Sequence, residues 1–101
     1  MSQTAPKTGK TLVFARAVAK EGKADELEAL LSAAIKNANS DNEPYTELYV
    51  CGRHGNEFRL AEKYDQDTGG IEEHMKQPPF QALVKSEVCA EVEILHFNQI
   101  F

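Results

Sequence analysis

Hydrophobic and polar residues alternate, or recur at helical spacing, in clearly separated segments of this chain. Residues 11–20 (TLVFARAVAK) are apolar on both alternating sets, which predicts a strand that is covered on both faces. After Gly22, apolar residues recur every three or four positions from Leu27 to Ala38, with acidic residues ahead of them. This pattern predicts an amphipathic helix over 24–39, because acidic residues suit the positive N-terminal end of a helix dipole.

The middle of the chain has the pattern of a hairpin. Residues 45–53 and 57–64 predict two strands, because each is rich in strand-forming residues and they flank a tight connection at Gly55. Alternation in the second strand places four residues on one face, namely Phe58, Leu60, Glu62 and Tyr64.

The last third of the chain predicts a second helical region and a final strand. The helical region begins near Gly70 and is interrupted at Pro78 and Pro79, because proline lacks a backbone donor and clashes with the preceding turn. Helical spacing then resumes, and residues 88–101 predict the strand. The order β-α-β-β-α-β is the ferredoxin-like arrangement, an α+β fold with two helices on one face of a four-stranded antiparallel sheet.

The uncovered face of this sheet predicts a homodimer. Two helices cover only one face, yet the first and last predicted strands carry apolar residues on both. A second copy packed sheet to sheet, with twofold symmetry, would bury the exposed apolar surface. The second and fourth strands are the sheet edges in this topology, so Cys51 and Cys89 are expected to be too far apart for a disulfide within one subunit.

Composition restricts the class of protein. The 101 residues carry a formal net charge of -5 without a basic stripe, which disfavours nucleic acid as a partner. No apolar run approaches the roughly 18 residues of a membrane span, and residues 1–10 lack the apolar stretch of a signal peptide, so we expect a cytoplasmic protein. Residues 1–10 are polar and aperiodic, which predicts a flexible tail before a single domain over 11–101.

Two ionisable residues fall on apolar faces of predicted elements. His74 is either a structural residue with satisfied ring nitrogens or a general base in a cleft between helix and sheet. Glu62 lies between Leu60 and Tyr64, where a buried carboxylate needs a partner, and Arg16 and His74 are the candidates. Glu62 is therefore part of a structural ion pair, a group that orients His74, or a base with a raised pKa.

Three further residues are candidates for binding a ligand. Tyr49 and Tyr64 could offer hydroxyl groups, although strand tyrosines commonly serve in packing. Arg16 is the only charged residue inside its predicted strand, where it is either the partner of Glu62 or a contact to an anion. A metal site is not expected, because the three histidines are isolated in sequence and no pairing supplies two ligands from one element.

From residue 11 to about Phe101 the chain resembles the antibiotic biosynthesis monooxygenase (ABM) domain family, whose members are dimeric α+β barrels. The resemblance rests on four segments, which are AKEGK (19–23), EPY (43–45), FRLAEKYD (58–65) and HMKQPPF (74–80). In the last of these, the family usually has His, a short spacer and Phe. The resemblance implies a homodimer with a pocket between the helices and the sheet of each subunit.

The resemblance also implies a type of chemistry. Some family members oxygenate phenolic or anthrone-like substrates without metal or flavin, because the deprotonated substrate itself reduces O2 while the protein supplies a dry cavity, a base and hydrogen bonds. Glu62 and His74 match the recurrent Glu and His of the family, and Tyr49 matches a frequent aromatic residue of the second strand. The chain has no Trp, which haem-degrading members use in the pocket, so haem degradation is not expected.

Three functions remain open at this point. The first is a cofactor-independent monooxygenase acting on a small aromatic or quinol-type substrate. The second is an isomerase, because EKYDQD (62–67) and HMKQPPF also resemble relatives that isomerise a small phosphorylated dione from autoinducer processing. The third is a non-catalytic ligand-binding dimer, or one whose pocket is filled by side chains that include Phe14 and Met75. For an enzyme, the candidate residues are His74 and Glu62 for catalysis and Arg16, Tyr49, Tyr64 and Phe80 for substrate binding.

Overall fold

Three helices pack on one face of a four-stranded antiparallel sheet. The computed structural model describes residues 5–101. The elements are β1 (Lys10–Ala19), α1 (Ala24–Ala38), β2 (Thr46–His54), β3 (Glu57–Asp65), a 3-10 turn (Gln66–Thr68), α2 (Gly70–Lys76), α3 (Pro78–Ser86) and β4 (Cys89–Asn98). The predicted ferredoxin-like order is confirmed. Its second helical region consists of α2 and α3, because the proline pair occupies the first turn of α3.

The strand order is β2-β3-β1-β4, so β2 and β4 are the edges as predicted. The register aligns four residues across the sheet. Val13 on β1 pairs with Glu62 on β3 and with His96 on β4, and Glu62 pairs in turn with Tyr49 on β2. Because paired residues share a face, this row lies on one side of the sheet. The two cysteines, one on each edge strand, are free thiols.

The core lies between the sheet and the helices. Leu27 of α1 is fully buried, and the alternation predicted for β3 is confirmed, because Phe58, Leu60, Glu62 and Tyr64 are all buried. The guanidinium of Arg53 lies 5.3 Å from the centroid of the Phe58 ring, at the rim of this core. The face of the sheet that carries these residues is therefore the one covered by helices.

The other side of the sheet, which we call the open face, carries a band of apolar side chains. The band consists of Leu12, Phe14, Leu48, Val50, Leu95 and Phe97. Phe14 and Phe97 are each 46% exposed, and their rings meet edge to face at 5.7 Å. This band is the surface from which the sequence predicts a homodimer.

The segment before β1 packs on the 3-10 turn. Gln66 Nε2 donates to Pro6 O at 2.7 Å, and Gly9 N donates to Asp67 Oδ1 at 2.9 Å. Residues 1–4 of the predicted tail lie outside the described residues, so the flexible tail stays a prediction. Within residues 5–101, no helix has the length and apolar character needed to span a bilayer.

Gly70 allows the start of α2 to approach the hairpin of β2 and β3 closely. A Cβ atom at this position would lie 2.8 Å from Tyr45 O and 3.1 Å from Asp65 O. Because backbone atoms cannot move aside as a side chain can, we expect Gly70→Ala to lower the free energy of unfolding by about 1–3 kcal/mol. Urea denaturation measures this change. Gly52→Ala is the control, since its Cβ would meet no atom within 4 Å, and equal losses in both variants would contradict the prediction.

Candidate active site

A cavity of about 510 Å³ lies between the helices and the helix-facing side of the sheet. Its lining is largely apolar and comes from every helix and every strand. Three exposed members of this lining, Val84 of α3 and Val92 and Ile94 of β4, show that the cavity opens between α3 and β4. The volume is that of a small-molecule pocket. A pocket filled by side chains is therefore not observed, and Phe14 lies on the open face instead.

His74 lines this cavity and is buried, with its two ring nitrogens in different surroundings. Nδ1 lies 2.6 Å from Glu43 Oε1, whereas Nε2 is buried with no hydrogen-bond partner among residues 5–101. A carboxylate only accepts hydrogen bonds, so we assign the proton to Nδ1 and the lone pair to Nε2. The ring is held by Tyr49, Tyr64 and Phe80, with centroid separations of 5.0, 5.7 and 5.1 Å. His74 therefore presents a fixed proton acceptor at an apolar cavity.

Glu43, in the turn before β2, is the partner of His74. Glu43 is 2% exposed, and two further donors contact its carboxyl group, Asn37 Nδ2 at 2.6 Å and Thr46 Oγ1 at 3.3 Å. Three donors compensate for the loss of water around a buried carboxylate. The arrangement fixes the orientation of the imidazole ring and can stabilise the imidazolium that forms when Nε2 takes a proton.

Sequence reasoning missed the role of Glu43. The stretch NSDNEP around it has turn composition, in which an acidic residue is normally solvated. One signal was available, because Glu43 belongs to the EPY segment on which the family resemblance partly rests. A contact that spans 31 positions of sequence cannot be recognised from local pattern.

Glu62 lies at the floor of the cavity, where its hydrogen-bond partner is Tyr64. Tyr64 OH donates to Glu62 Oε1 at 2.5 Å, so the expected pairing of Glu62 with Arg16 or His74 is wrong. Burial raises the pKa of Glu62 to about 7; the Tyr64 hydrogen bond opposes this shift and the nearby Glu43 adds to it. Glu62 consequently exchanges its proton near neutral pH.

The raised pKa of Glu62 predicts a pH-dependent stability. The folded state holds this proton more tightly than the unfolded state, where the pKa is near 4.5, so the free energy of unfolding falls as pH rises from 4.5 to about 7. The loss is about 3 kcal/mol at 1.36 kcal/mol per pKa unit. Glu62→Gln lacks this proton exchange, so its free energy of unfolding should not show this loss. The difference in free energy of unfolding, variant minus wild type, should therefore rise by about 3 kcal/mol from pH 4.5 to pH 8, as measured by urea denaturation. A gain of the same size in exposed Glu21→Gln would contradict this assignment.

Tyr49, Tyr64 and Phe80 are all predicted to contact the substrate, and the structure places the three rings beside His74. All three residues line the cavity. Burial raises the pKa of both Tyr49 and Tyr64, and the charge of Glu62 adds to the effect. Their hydroxyl groups consequently stay protonated and can donate hydrogen bonds, but they cannot serve as bases near neutral pH.

The side chain of Arg16 does not lie with the other predicted site residues around His74. Arg16 borders the cavity, but its side chain follows the alternation of β1 to the open face. There Nε lies 3.2 Å from Glu57 Oε2 and Nη1 lies 3.8 Å from Glu91 Oε2. In the described part of the chain, no group of three or more His, Cys, Asp or Glu side chains is placed to hold a metal ion.

Comparison with known proteins identifies the fold. No family model and no curated protein matches the chain. Rv0793 from Mycobacterium tuberculosis is 21% identical, with a TM-score of 0.81 over 92% of this chain and 97% of that one. PA3566 from Pseudomonas aeruginosa is 20% identical, with a TM-score of 0.80 over 96% and 100%. A Caulobacter crescentus protein that carries the name antibiotic biosynthesis monooxygenase is 19% identical, with a TM-score of 0.81 over 94% of this chain and 93% of that one.

Further structures with the same assignment, from Bacteroides thetaiotaomicron and Nitrosomonas europaea, are 15% and 12% identical, with TM-scores of 0.80 and 0.79. At these identities the likeness establishes a shared fold. The chain thus has the α+β ferredoxin-like fold of proteins that carry the ABM name, as its four sequence segments predict.

Proposed function

We propose that this chain is a member of the ABM family and acts as a cofactor-independent monooxygenase on a small aromatic or quinol-type substrate. The observation that carries the proposal is the buried Nε2 of His74, an acceptor without a partner among residues 5–101, at the wall of an apolar cavity. A buried polar atom without a partner is costly, and a hydrogen-bond donor on a bound ligand would remove this cost. The fold shared with proteins assigned as ABM monooxygenases supports the same reaction class.

In the proposed reaction, His74 Nε2 removes a proton from the bound substrate. The proton comes from the hydroxyl group of a phenol or quinol, or from the acidic methylene group of the corresponding keto tautomer. Glu43 stabilises the resulting imidazolium through Nδ1. The electron-rich anion then reduces O2, and a ring or methylene carbon forms the new C–O bond. One oxygen atom enters the product as a carbonyl, and the other leaves as water with two substrate hydrogens. The substrate thus supplies all four electrons.

The remaining cavity residues position the substrate and exclude water. Tyr49 and Tyr64 can donate hydrogen bonds to a substrate oxygen, and Phe80 offers a ring surface against which an aromatic substrate can pack. Dry surroundings strengthen each of these interactions and protect the anion from protonation by solvent. Glu62 completes the site as a second proton-exchanging group. Arg16 is left out of this proposal, because its guanidinium is engaged on the open face.

The test is oxygen consumption by the purified protein with a panel of quinols and anthrones. One O2 consumed per product formed supports the monooxygenase. Turnover that persists under strict anaerobiosis would instead identify an isomerase, for which the pair of proton-exchanging groups His74 and Glu62 is also suited. Binding without turnover would identify a non-catalytic binding protein.

We also propose that two subunits associate through their open faces and that the protein works in the cytoplasm. The apolar band, which includes half-exposed Phe14 and Phe97, is larger than a scatter of single exposed residues, and Ala61 of β3 lies between its members Val50 and Phe14. A twofold axis would place each band against its copy, since such an interface uses the same patch twice. Two free thiols suit a reducing compartment.

A further inference from the structure

We propose that the cavity admits uncharged ligands and rejects anions, and that Glu62 is the residue that sets this selectivity. The inference deepens the proposed function, on which it rests for taking the cavity as the substrate site. The substrate would then be uncharged, which favours a neutral aromatic compound over a phosphorylated one.

The charged groups around the cavity are the first observation. Among the described residues that line it, Arg16 is the only Lys or Arg, and its guanidinium is paired with Glu57 and Glu91 on the other face of the sheet. Three carboxyl groups lie on the cavity side, and one of them, Glu87 after α3, is exposed to solvent. Glu62 lines the cavity directly, and Glu43 lies behind the ring of His74. The cavity therefore has acidic groups without a cationic side chain to neutralise a bound anion.

The apolar lining makes this imbalance effective. The lining around Glu62 and His74 includes Val13, Leu60, Ile71 and Phe80 and is largely apolar, so it offers few polar groups to screen a charge. Coulomb repulsion between like charges is several times stronger in such surroundings than in bulk water. An anion would also lose its hydration without gaining an ionic partner. A neutral aromatic compound is not repelled by Glu62 and loses no ionic hydration, and its hydroxyl group can donate a hydrogen bond to His74 Nε2.

The selectivity should weaken in acid, because protonation removes the charge of Glu62. Its pKa, raised by burial to about 7, lies within an accessible range. The other titratable or charged groups that face Glu62 or line the same cavity are Arg16 of β1, Glu43 before β2, Tyr49 of β2, Tyr64 of β3, His74 of α2, Glu87 after α3, and Cys89 and His96 of β4. A pH change acts on all of these groups together, so by itself it does not isolate Glu62. A Gln variant does.

The experiment measures binding of two probes with the same ring system. Naphthalene-2-sulfonate is an anion from pH 5.5 to 8.5, and naphthalene-2-sulfonamide is essentially uncharged over the same range. At pH 8.5 we expect wild type to bind the sulfonamide at least about tenfold more tightly, a difference of about 1.4 kcal/mol. Glu62→Gln should tighten sulfonate binding about tenfold and change sulfonamide binding less than about twofold. Exposed Glu21→Gln, with the same change in net charge, should alter neither affinity.

Several results would overturn the inference. The first is that wild type binds the two probes with equal affinity at pH 8.5. The second is that Glu62→Gln leaves the ratio of sulfonamide to sulfonate affinity unchanged, and the third is that wild type does not bind the sulfonamide. If Glu62→Gln fails to fold, Glu62→Ala replaces it with the same expected affinities, and a wild-type affinity ratio that stays constant from pH 8.5 to pH 5.5 would also refute the role of Glu62. Selective binding without oxygen consumption would refute the monooxygenase alone, whereas oxygen consumption without selectivity would refute this inference alone.

Discussion

Replacing His74 with Ala is expected to lower the rate of oxygen consumption with a productive substrate by about 10²–10⁴-fold, the usual contribution of a positioned general base. Nε2 is a proton acceptor that the cavity offers in a fixed orientation, because Nδ1 is held by Glu43. The two tyrosine hydroxyls cannot replace it, since burial raises the pKa of each. The loss should appear in kcat, measured with an oxygen electrode over a range of substrate concentrations.

Two further variants separate catalysis from packing. Glu43→Gln keeps the volume of the side chain but removes the charge that stabilises an imidazolium, so we expect a smaller loss in kcat, about tenfold to a hundredfold. His54→Ala changes an exposed histidine at the end of β2 and should leave the rate unchanged. Full activity in a folded His74→Ala protein would refute the base, whatever the effect on stability.

Phe14→Asp is expected to convert the proposed homodimer to a monomer, raising its dissociation constant by about a thousandfold or more. Phe14 lies within the apolar band of the open face and contacts Phe97 edge to face. In a twofold interface each substitution occurs twice, and each buried carboxylate without a partner costs several kcal/mol. Sedimentation equilibrium at micromolar concentration measures the change in mass.

The control for this experiment is Val84→Asp. Val84 is more exposed than Phe14, at 58%, but belongs to α3 on the other side of the sheet, so its substitution should leave the mass of the dimer unchanged. A wild-type protein that is monomeric at micromolar concentration, or a Phe14→Asp variant that remains dimeric, would show that the open face is not the interface.

The fold was predictable because its signals are local. Alternation in β3 identifies the buried set from Phe58 to Tyr64 without knowledge of any other element. The proline pair likewise locates the break between α2 and α3, because proline acts on the turn in which it stands.

The errors concern residues whose surroundings depend on distant elements. β1 is apolar on both alternating sets, so its sequence alone does not show which set faces the helices. The pairing of Val13 with Glu62 resolves this and places Arg16 on the opposite face, away from Glu62. The contact between Glu43 and His74 depends on how the turn before β2 meets α2. The cavity itself depends on where α3 lies, which no periodicity encodes.

The break between α2 and α3 also separates a firmly anchored segment from a loosely anchored one. α2 buries Gly70, Ile71 and His74, whereas no residue of the nine-residue α3 is buried, although α3 forms an outer wall of the cavity. Segments with few buried contacts open locally at much lower free energy than the whole molecule. The opening of the cavity between α3 and β4 can therefore widen through local opening of α3, while the Glu43–His74 pair stays assembled. Turnover limited by product escape would accordingly respond to substitutions in α3 that leave global stability untouched.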